Sequence, residues 1–363
     1  MDRKGRLLAR RTVLKMGLGA AALAAGCAGP PRPARQVEPR PDLREHERHL
    51  ANLRQLTFGG QNAEAYFSPD GSQLIFQATR DGFACDQILV MNLDGSGLRL
   101  LSTGKGRTTC SFFVPGQPQF IYASTHLGSA ACPPRPDRSQ GYVWPIYPDY
   151  EIFSAALDGS DLRRLTHNWG YDAEGAVSPD GKTIVFTSLR EGDLDLYLMD
   201  IEGSNVRRLT ERVGYDGGPF FSWDGRAVVY RAWHPRRPSE VREYRDLLAR
   251  HLVRPSKMEI FLMDADGGNN RQVTDLGAAS FAPFMHPDGQ RIIFASNLHD
   301  RTGRTFALYL IRADGTHLER LTYGDPFAAF PMFSRDGRLL VFASQRNQQE
   351  AGEMNIFLAD WVD

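Results

Sequence analysis

Across 363 residues Lys and Arg total 43 and Asp and Glu total 43, so the formal net charge is zero and the chain lacks the basic excess of a nucleic-acid-binding protein. With 42% hydrophobic and 24% charged residues it can bury a sizeable core and falls outside the disordered class. Four cysteines exclude a disulfide-dense miniature scaffold, and no apolar run reaches the roughly 18 residues that a membrane-spanning helix needs.

The zero net charge is a sum of unequal parts. Residues 1–26 are cationic: Arg3, Lys4, Arg6, Arg10, Arg11 and Lys15 precede an Ala/Gly-rich apolar stretch from Met16 to Ala25, the charged and apolar regions of an export signal. Ala9-Arg10-Arg11-Thr12-Val13-Leu14-Lys15 resembles a twin-arginine signal, with Arg10 and Arg11 as the paired arginines. Leu23-Ala24-Ala25-Gly26-Cys27 resembles a lipobox, which implies lipid attachment at Cys27 and a lasting membrane anchor. From Ala28 to Pro41 prolines alternate with Arg32, Arg35 and Arg40, predicting an extended, basic tether, followed by a short helix over Asp42–Asn52. What remains is an acidic domain on a basic stalk, which favours a ligand with basic groups.

From residue 53 onward the chain repeats itself. A Leu-Thr-like pair recurs at Leu56-Thr57, Leu101-Ser102, Leu165-Thr166, Leu209-Thr210, Val273-Thr274 and Leu321-Thr322. About 12 residues later comes a tight turn: Ser68-Pro69-Asp70-Gly71, Ser178-Pro179-Asp180-Gly181, Ser222-Trp223-Asp224-Gly225, His286-Pro287-Asp288-Gly289 and Ser334-Arg335-Asp336-Gly337, with Val114-Pro115-Gly116-Gln117 in the degenerate second repeat. A β-branched or aromatic run follows each turn, then a loop, then an apolar run ending at an Asp-Gly or Glu-Gly hairpin signal such as Asp94-Gly95 or Glu202-Gly203. Each repeat reads as four antiparallel strands, one propeller blade. The chain stops after the third strand of the sixth blade, Asn355 to Asp360, while one fourth-strand copy, Leu53–Thr57, stands unused at the N-terminal end. The expectation is an all-β, six-bladed propeller over 53–363, its ring closed by Leu53–Thr57 pairing in the last blade.

These repeats resemble the TolB-type (WD-like) β-propeller repeat over Leu53 to Trp361. TolB proteins also carry an N-terminal α/β domain, for which the residues before Leu53 leave no room, so the resemblance implies a lipoprotein relative. It also implies a periplasmic, non-enzymatic role in envelope maintenance or transport through binding of a protein or peptide partner. The lipid anchor would hold it to a membrane, the outer one where present because Ala28 follows the Cys; a monomer is expected, with no nucleic-acid partner and no cofactor.

Two repeats are longer by about 20 residues, placing insertions at about 126–149 and 233–257 on one face, flanking blade three as the walls of a cleft. In the second, Ser239 is the candidate N-cap of a helix burying Val241, Tyr244, Leu248 and Leu252. Aligned inter-blade loops bring Glu64, Arg107, Tyr171, Asp172, Glu174, Tyr215 and Asp216 to that face, with His126, His234 and Trp144 beside them, as candidate ligand-binding residues. Cys85, Cys110 and Cys132 lie there too, and Cys85 is a candidate disulfide partner of Cys132 or Cys110. No catalytic motif or metal site is recognisable. An alternative resemblance, to propeller polysaccharide lyases, implies a metal held by His126, His234 and His299 and acidic oligosaccharides as substrate.

Overall fold

The structure, a computed structural model, describes residues 33–37, 46–139 and 141–363. Arg10, Arg11 and Cys27, and with them the export signal and the lipid attachment site, lie outside the described residues.

Six antiparallel sheets form the blades: five have four strands in sequential order, and the sixth has five, its outer two supplied by the N-terminal end of the described chain. Blade one runs inner to outer through Gln61–Phe67, Gln73–Thr79, Gln87–Asn92 and Arg99–Leu100. The inner strands of blades two to six are Thr108–Phe113, Asp172–Val177, Tyr215–Phe221, Ser280–Met285 and Ala328–Phe333. Within the ring the outer strands of blades one to five are two-residue ladders, shorter than the sequence predicts. The fourth residue of every second strand is a buried aromatic: Phe76, Tyr122, Phe186, Tyr230, Phe294 and Phe342, each at most 1% exposed.

The repeat signatures have physical causes. In the tight turns the Ser hydroxyl donates to the Asp carboxylate (Ser68 to Asp70 at 2.5 Å, Ser178 to Asp180 at 2.6 Å), and Gly71 and Gly181 take the positive φ the turn requires. In the Leu-Thr pair the hydroxyl accepts the backbone N–H of the second residue of the third strand in the same blade: Ile152 N to Thr166 Oγ1 at 2.9 Å, Leu196 N to Thr210 at 2.9 Å, Ile260 N to Thr274 at 2.8 Å and Leu308 N to Thr322 at 2.9 Å. Ile356 N makes the same bond to Thr57 Oγ1 at 2.8 Å, from the other end of the chain.

The ring therefore closes through the N-terminal strand, which pairs with Asn355–Trp361 as predicted but starts earlier, spanning Leu50–Gln55. The helix expected over Asp42–Asn52 does not extend to its end: Leu50, Ala51 and Asn52 belong to this strand, because its backbone groups are taken by Trp361 and Asp360, while 42–45 lie outside the described residues. A short strand of the expected tether, Arg35–Gln36, pairs outside Leu50–Gln55, and Ala34 N donates to Asp94 O of blade one (3.1 Å), so this part is docked across the closing seam.

The two insertions join rather than forming separate cleft walls. Trp144–Pro145 pairs antiparallel with Leu252–Val253, and Ile146 N donates to His251 O (2.8 Å). The helix spans Pro238–Leu248 with Arg237 as N-cap, two residues ahead of the predicted Ser239, because Pro238 presets the first helical φ and Glu240 reaches back to Arg237 N. It buries Tyr244, Leu247 and Leu248; Val241 is only half-buried and Leu252 lies beyond the helix in the paired strand. The Tyr244 hydroxyl donates toward Asp193 Oδ1 (2.5 Å) and Gly214 O (2.6 Å), fixing the helix to the loops of blade three. Ile146, Tyr150, Tyr171, Leu194, Tyr244 and Val253 pack together, so blade three is covered, not cleft. A Cys85–Cys132 disulfide ties blade one to the first insertion and leaves Cys110 as a thiol.

Thr57→Val keeps the shape of the closing residue but orphans Ile356 N; urea denaturation is expected to show a loss of about 1–3 kcal/mol, matching that of Thr166→Val inside blade two. A neutral Thr57→Val beside a costly Thr166→Val would contradict the closure.

Candidate functional site: an axial cavity

Every inner strand carries one bulge, seen as a register shift against its neighbour. At each bulge one residue is left-handed: Glu64 (φ 53°), Cys110 (51°), Glu174 (58°), Gly218 (56°), Ala282 (51°) and Phe330 (56°). A bulge re-aims its side chain, and here all six residues line a cavity of about 1050 Å³ on the propeller axis. Tyr66 and Phe220, two residues further along their strands, meet with Phe112 at ring separations of 5.4 to 6.4 Å and form its aromatic base.

The bulge residues divide the cavity into unlike halves. On blades one to four the wall is polar. Glu174 pairs with Arg231, accepts from Thr187 Oγ1 (2.8 Å) and Gly218 N (2.7 Å), and is reached by the Tyr215 hydroxyl at 3.1 Å. Arg231 also donates to the Tyr215 oxygen (2.6 Å) and lies under the Trp144 ring of the first insertion, 5.3 Å from its centroid. Burial alone would depress the Arg231 pKa; the Glu174 carboxylate overrides it and holds the guanidinium charged. Gly217 and Gly218 make this possible, because a methyl group on the first would overlap Tyr215 and Glu174, and on the second the guanidinium itself. On blades five and six the wall is aromatic: Phe281, Phe306, Phe327 and Phe330, with Phe281 and Phe306 rings 4.9 Å apart. Arg135, Arg138, Arg254 and Arg304 also line the cavity, Arg138 stacking on Tyr142 at 4.6 Å and Arg254 pairing with Glu243.

Glu64 differs from Glu174. Burial raises its pKa from the usual 4.5 to about 7, the Cys110 thiol pulling down, Glu174 pushing up and Arg231 pulling down in decreasing order. Its Oε2 is shielded from solvent and has no hydrogen-bond partner. Cys110 is likewise raised well above the usual thiol range, by burial first and then by Glu64 and Glu174, which keeps it a protonated, weakly nucleophilic thiol.

Of the residues singled out from the sequence, Glu64, Arg107, Trp144, Tyr171, Glu174 and Tyr215 line the cavity. His126, Asp172, Asp216 and His234 do not. The bulge lies two residues beyond Asp172 and Asp216 and turns the strand, so these side chains point into their own blades: Asp172 pairs with Arg190 (3.1 Å) and Asp216 with His234 (2.9 Å), all but fully buried. His126 is held by Ser124 Oγ (2.8 Å) and packs on Phe153. His299 bonds Thr305 and Tyr309, so the three histidines are not brought together, and among the described residues no group of three or more His, Cys, Asp or Glu is arranged to hold a metal. Arg231 went unnoticed, although it is the one charged residue at a second-strand position held by Gln77, Ala123, Thr187, Ala295 and Ala343 in the other blades.

The described chain is thus a closed, six-bladed propeller of four-stranded repeats with a blind polar-and-aromatic cavity on its axis. Residues 147–239 match the TolB beta propeller domain. The protein is 35% identical over 95 residues to the uncharacterized protein Atu1656 of Agrobacterium fabrum, a match covering 25% of this chain and 30% of that one, so the chain spans less than a third of that relative's length. Its fold is similar to a putative TolB from Agrobacterium tumefaciens (TM-score 0.55, 19% identity, 84% of this chain and 91% of that one). It is also similar to TolB from Acinetobacter baumannii (0.54, 17%, 84% and 64%) and to an oligogalacturonate lyase in complex with manganese (0.52, 14%, 92% and 97%). At such identities the likeness is one of fold.

Gly218→Ala is expected to destabilise by about 1–3 kcal/mol in urea denaturation through collision with Arg231, whereas Ala282→Gly, at the same bulge position without a charged neighbour, is expected to be neutral or stabilising. Because Glu64 has a raised folded pKa, its contribution is fully present below about pH 4.5 and is lost as pH rises through about 7. Glu64→Gln should therefore match the wild type at about pH 4.5 and exceed it by on the order of 1–3 kcal/mol at about pH 8; equal stability at both would refute the buried state of this carboxyl.

Proposed function

We propose that this protein is an exported, lipid-anchored propeller that binds a peptide segment of a cell-envelope partner in its axial cavity, on the face carrying the two insertions. The observation that carries the reading is the cavity itself: about 1050 Å³, lined by the bulge residue of every blade, and divided into a charged half and an aromatic half. Pockets that are apolar with a few fixed polar groups suit an extended segment with one anchoring side chain.

The chemistry of the lining supports binding over catalysis. It contains no histidine, its thiol is held protonated, and Glu174 is spent on Arg231 and Tyr215. A metal-dependent lyase would need donors that the described residues do not bring together. The cationic leader with Arg10 and Arg11, the lipobox-like stretch ending at Cys27 and the basic tether support an address on the periplasmic face of the envelope. The likeness to TolB structures supports a role of the same kind in the envelope.

Crosslinking capture from the native envelope tests this. The intact protein is expected to retain a discrete partner, with recovery falling at least about tenfold for Phe306→Ala, which removes part of the aromatic wall, and unchanged for Arg226→Ala on an exposed turn of the opposite face. Capture that ignores Phe306→Ala would refute the cavity as the binding site, and a Cys27→Ser protein that still took up labelled fatty acid would refute the anchor.

A further inference from the structure

Three carboxylates line the cavity, and two of them are engaged. Glu174 is held by Arg231, Tyr215, Thr187 and the Gly218 backbone, and Asp86 by Arg107 and by the Thr79 hydroxyl (2.6 Å). Glu64 is left over. It occupies the bulge position of blade one, where the backbone aims it at the axis; the Cys110 thiol is the one hydrogen-bonding group acting on its carboxyl, no cation pairs with it, and its Oε2 is shielded from water without a partner. The charged and titratable groups that face it are Cys110 and Glu174 from the neighbouring inner strands, Arg231 from blade four, Asp86 from the third strand of its own blade and Tyr66 below. Arg231 is closed off by Glu174, Tyr215 and Trp144 and offers it no hydrogen bond. A buried acceptor without a partner is costly, and the cost is recovered when a donor arrives. Across the cavity stand Phe281, Phe306, Phe327 and Phe330.

We propose that the cavity is a receptor for a primary ammonium group carried beside an apolar side chain, with Glu64 receiving the charge and the phenylalanine wall receiving the apolar part. This rests on the peptide-binding reading above and narrows it to the kind of segment accepted. With Oε2 shielded, the carboxyl has one oxygen left to face the cavity, which suits a compact ammonium better than a planar guanidinium that needs two acceptors side by side. Binding converts Glu64 to its ionised form and releases the proton it holds near neutrality, so affinity for the ammonium rises with pH up to about 7 and above.

The test uses the purified protein with two probes of nearly equal shape, 4-phenylbutylamine and 4-phenylbutanol, titrated calorimetrically at about pH 5.5 and about pH 7.5; the amine, like a lysine, stays charged at both. At the higher pH the amine is expected to bind at least about tenfold more tightly than the alcohol, and at the lower pH the preference shrinks to about threefold or less. Glu64→Gln is expected to abolish the preference at both pH values while keeping the alcohol's affinity, and Glu64→Asp to keep part of it; should neither variant fold, the wild-type pH series decides. Equal affinities for the two probes, a preference that survives in Glu64→Gln, or no binding of either probe would overturn the proposal. Partner capture that still depends on Phe306 would then leave the peptide-binding reading standing, whereas loss of that dependence as well would remove both.

Discussion

One backbone residue in each inner strand is held in the left-handed conformation, and the arrangement of the whole cavity follows from that constraint. For the five non-glycine residues among Glu64, Cys110, Glu174, Gly218, Ala282 and Phe330 this conformation costs on the order of 1 kcal/mol each. The cost is met by the ladders on either side and by the rivet one step earlier, where the backbone N–H of Asn62, Thr108, Asp172, Asp216, Ser280 and Ala328 donates to the preceding blade. Because the backbone geometry is common to all blades, the side chain at the bulge is free to vary, and its variation writes the chemistry of the axis without altering the fold.

That variation makes a symmetric ring one-sided. Blades one to three present carboxyl, thiol and carboxyl; blade four presents glycine so that Arg231 can cross from the second strand to Glu174; blades five and six present a small and an aromatic side chain. The insertions reinforce the asymmetry. They pair with each other, anchor through Tyr244 on blade three, are stapled to blade one by Cys85–Cys132, and lower Trp144 onto Arg231. The result is a polar wall fixed by an ion pair and a roof fixed by a small sheet, with Glu64 Oε2 and Arg231 Nε left without partners.

The fold was legible in the sequence because its determinants are local and periodic. The Leu-Thr pair marks a buried apolar residue followed by a hydroxyl that satisfies one backbone N–H, and its unpaired copy at residues 56 and 57 located the ring closure. The site was legible only in part. Aligning the inter-blade loops grouped Glu64, Cys110 and Glu174 but brought Asp172 and Asp216, two residues earlier, to the same face; the bulge turns the strand between the two positions, and those carboxylates are consumed by Arg190 and His234. Arg231 and the Gly217-Gly218 pair belong to strand interiors, where no turn or spacing signal points, and their meaning emerges only when the blades are superposed by register.

The Glu174–Arg231 contact organises the polar wall of the cavity. A double-mutant cycle with Glu174→Gln and Arg231→Met, followed by urea denaturation, measures it directly. Each single change strands a buried partner, so a coupling energy of about 2–4 kcal/mol is expected, with the double variant more stable than the Glu174→Gln protein. Additive effects, with coupling below about 0.5 kcal/mol, would mean that the pair is incidental and that the polar wall is held by something else.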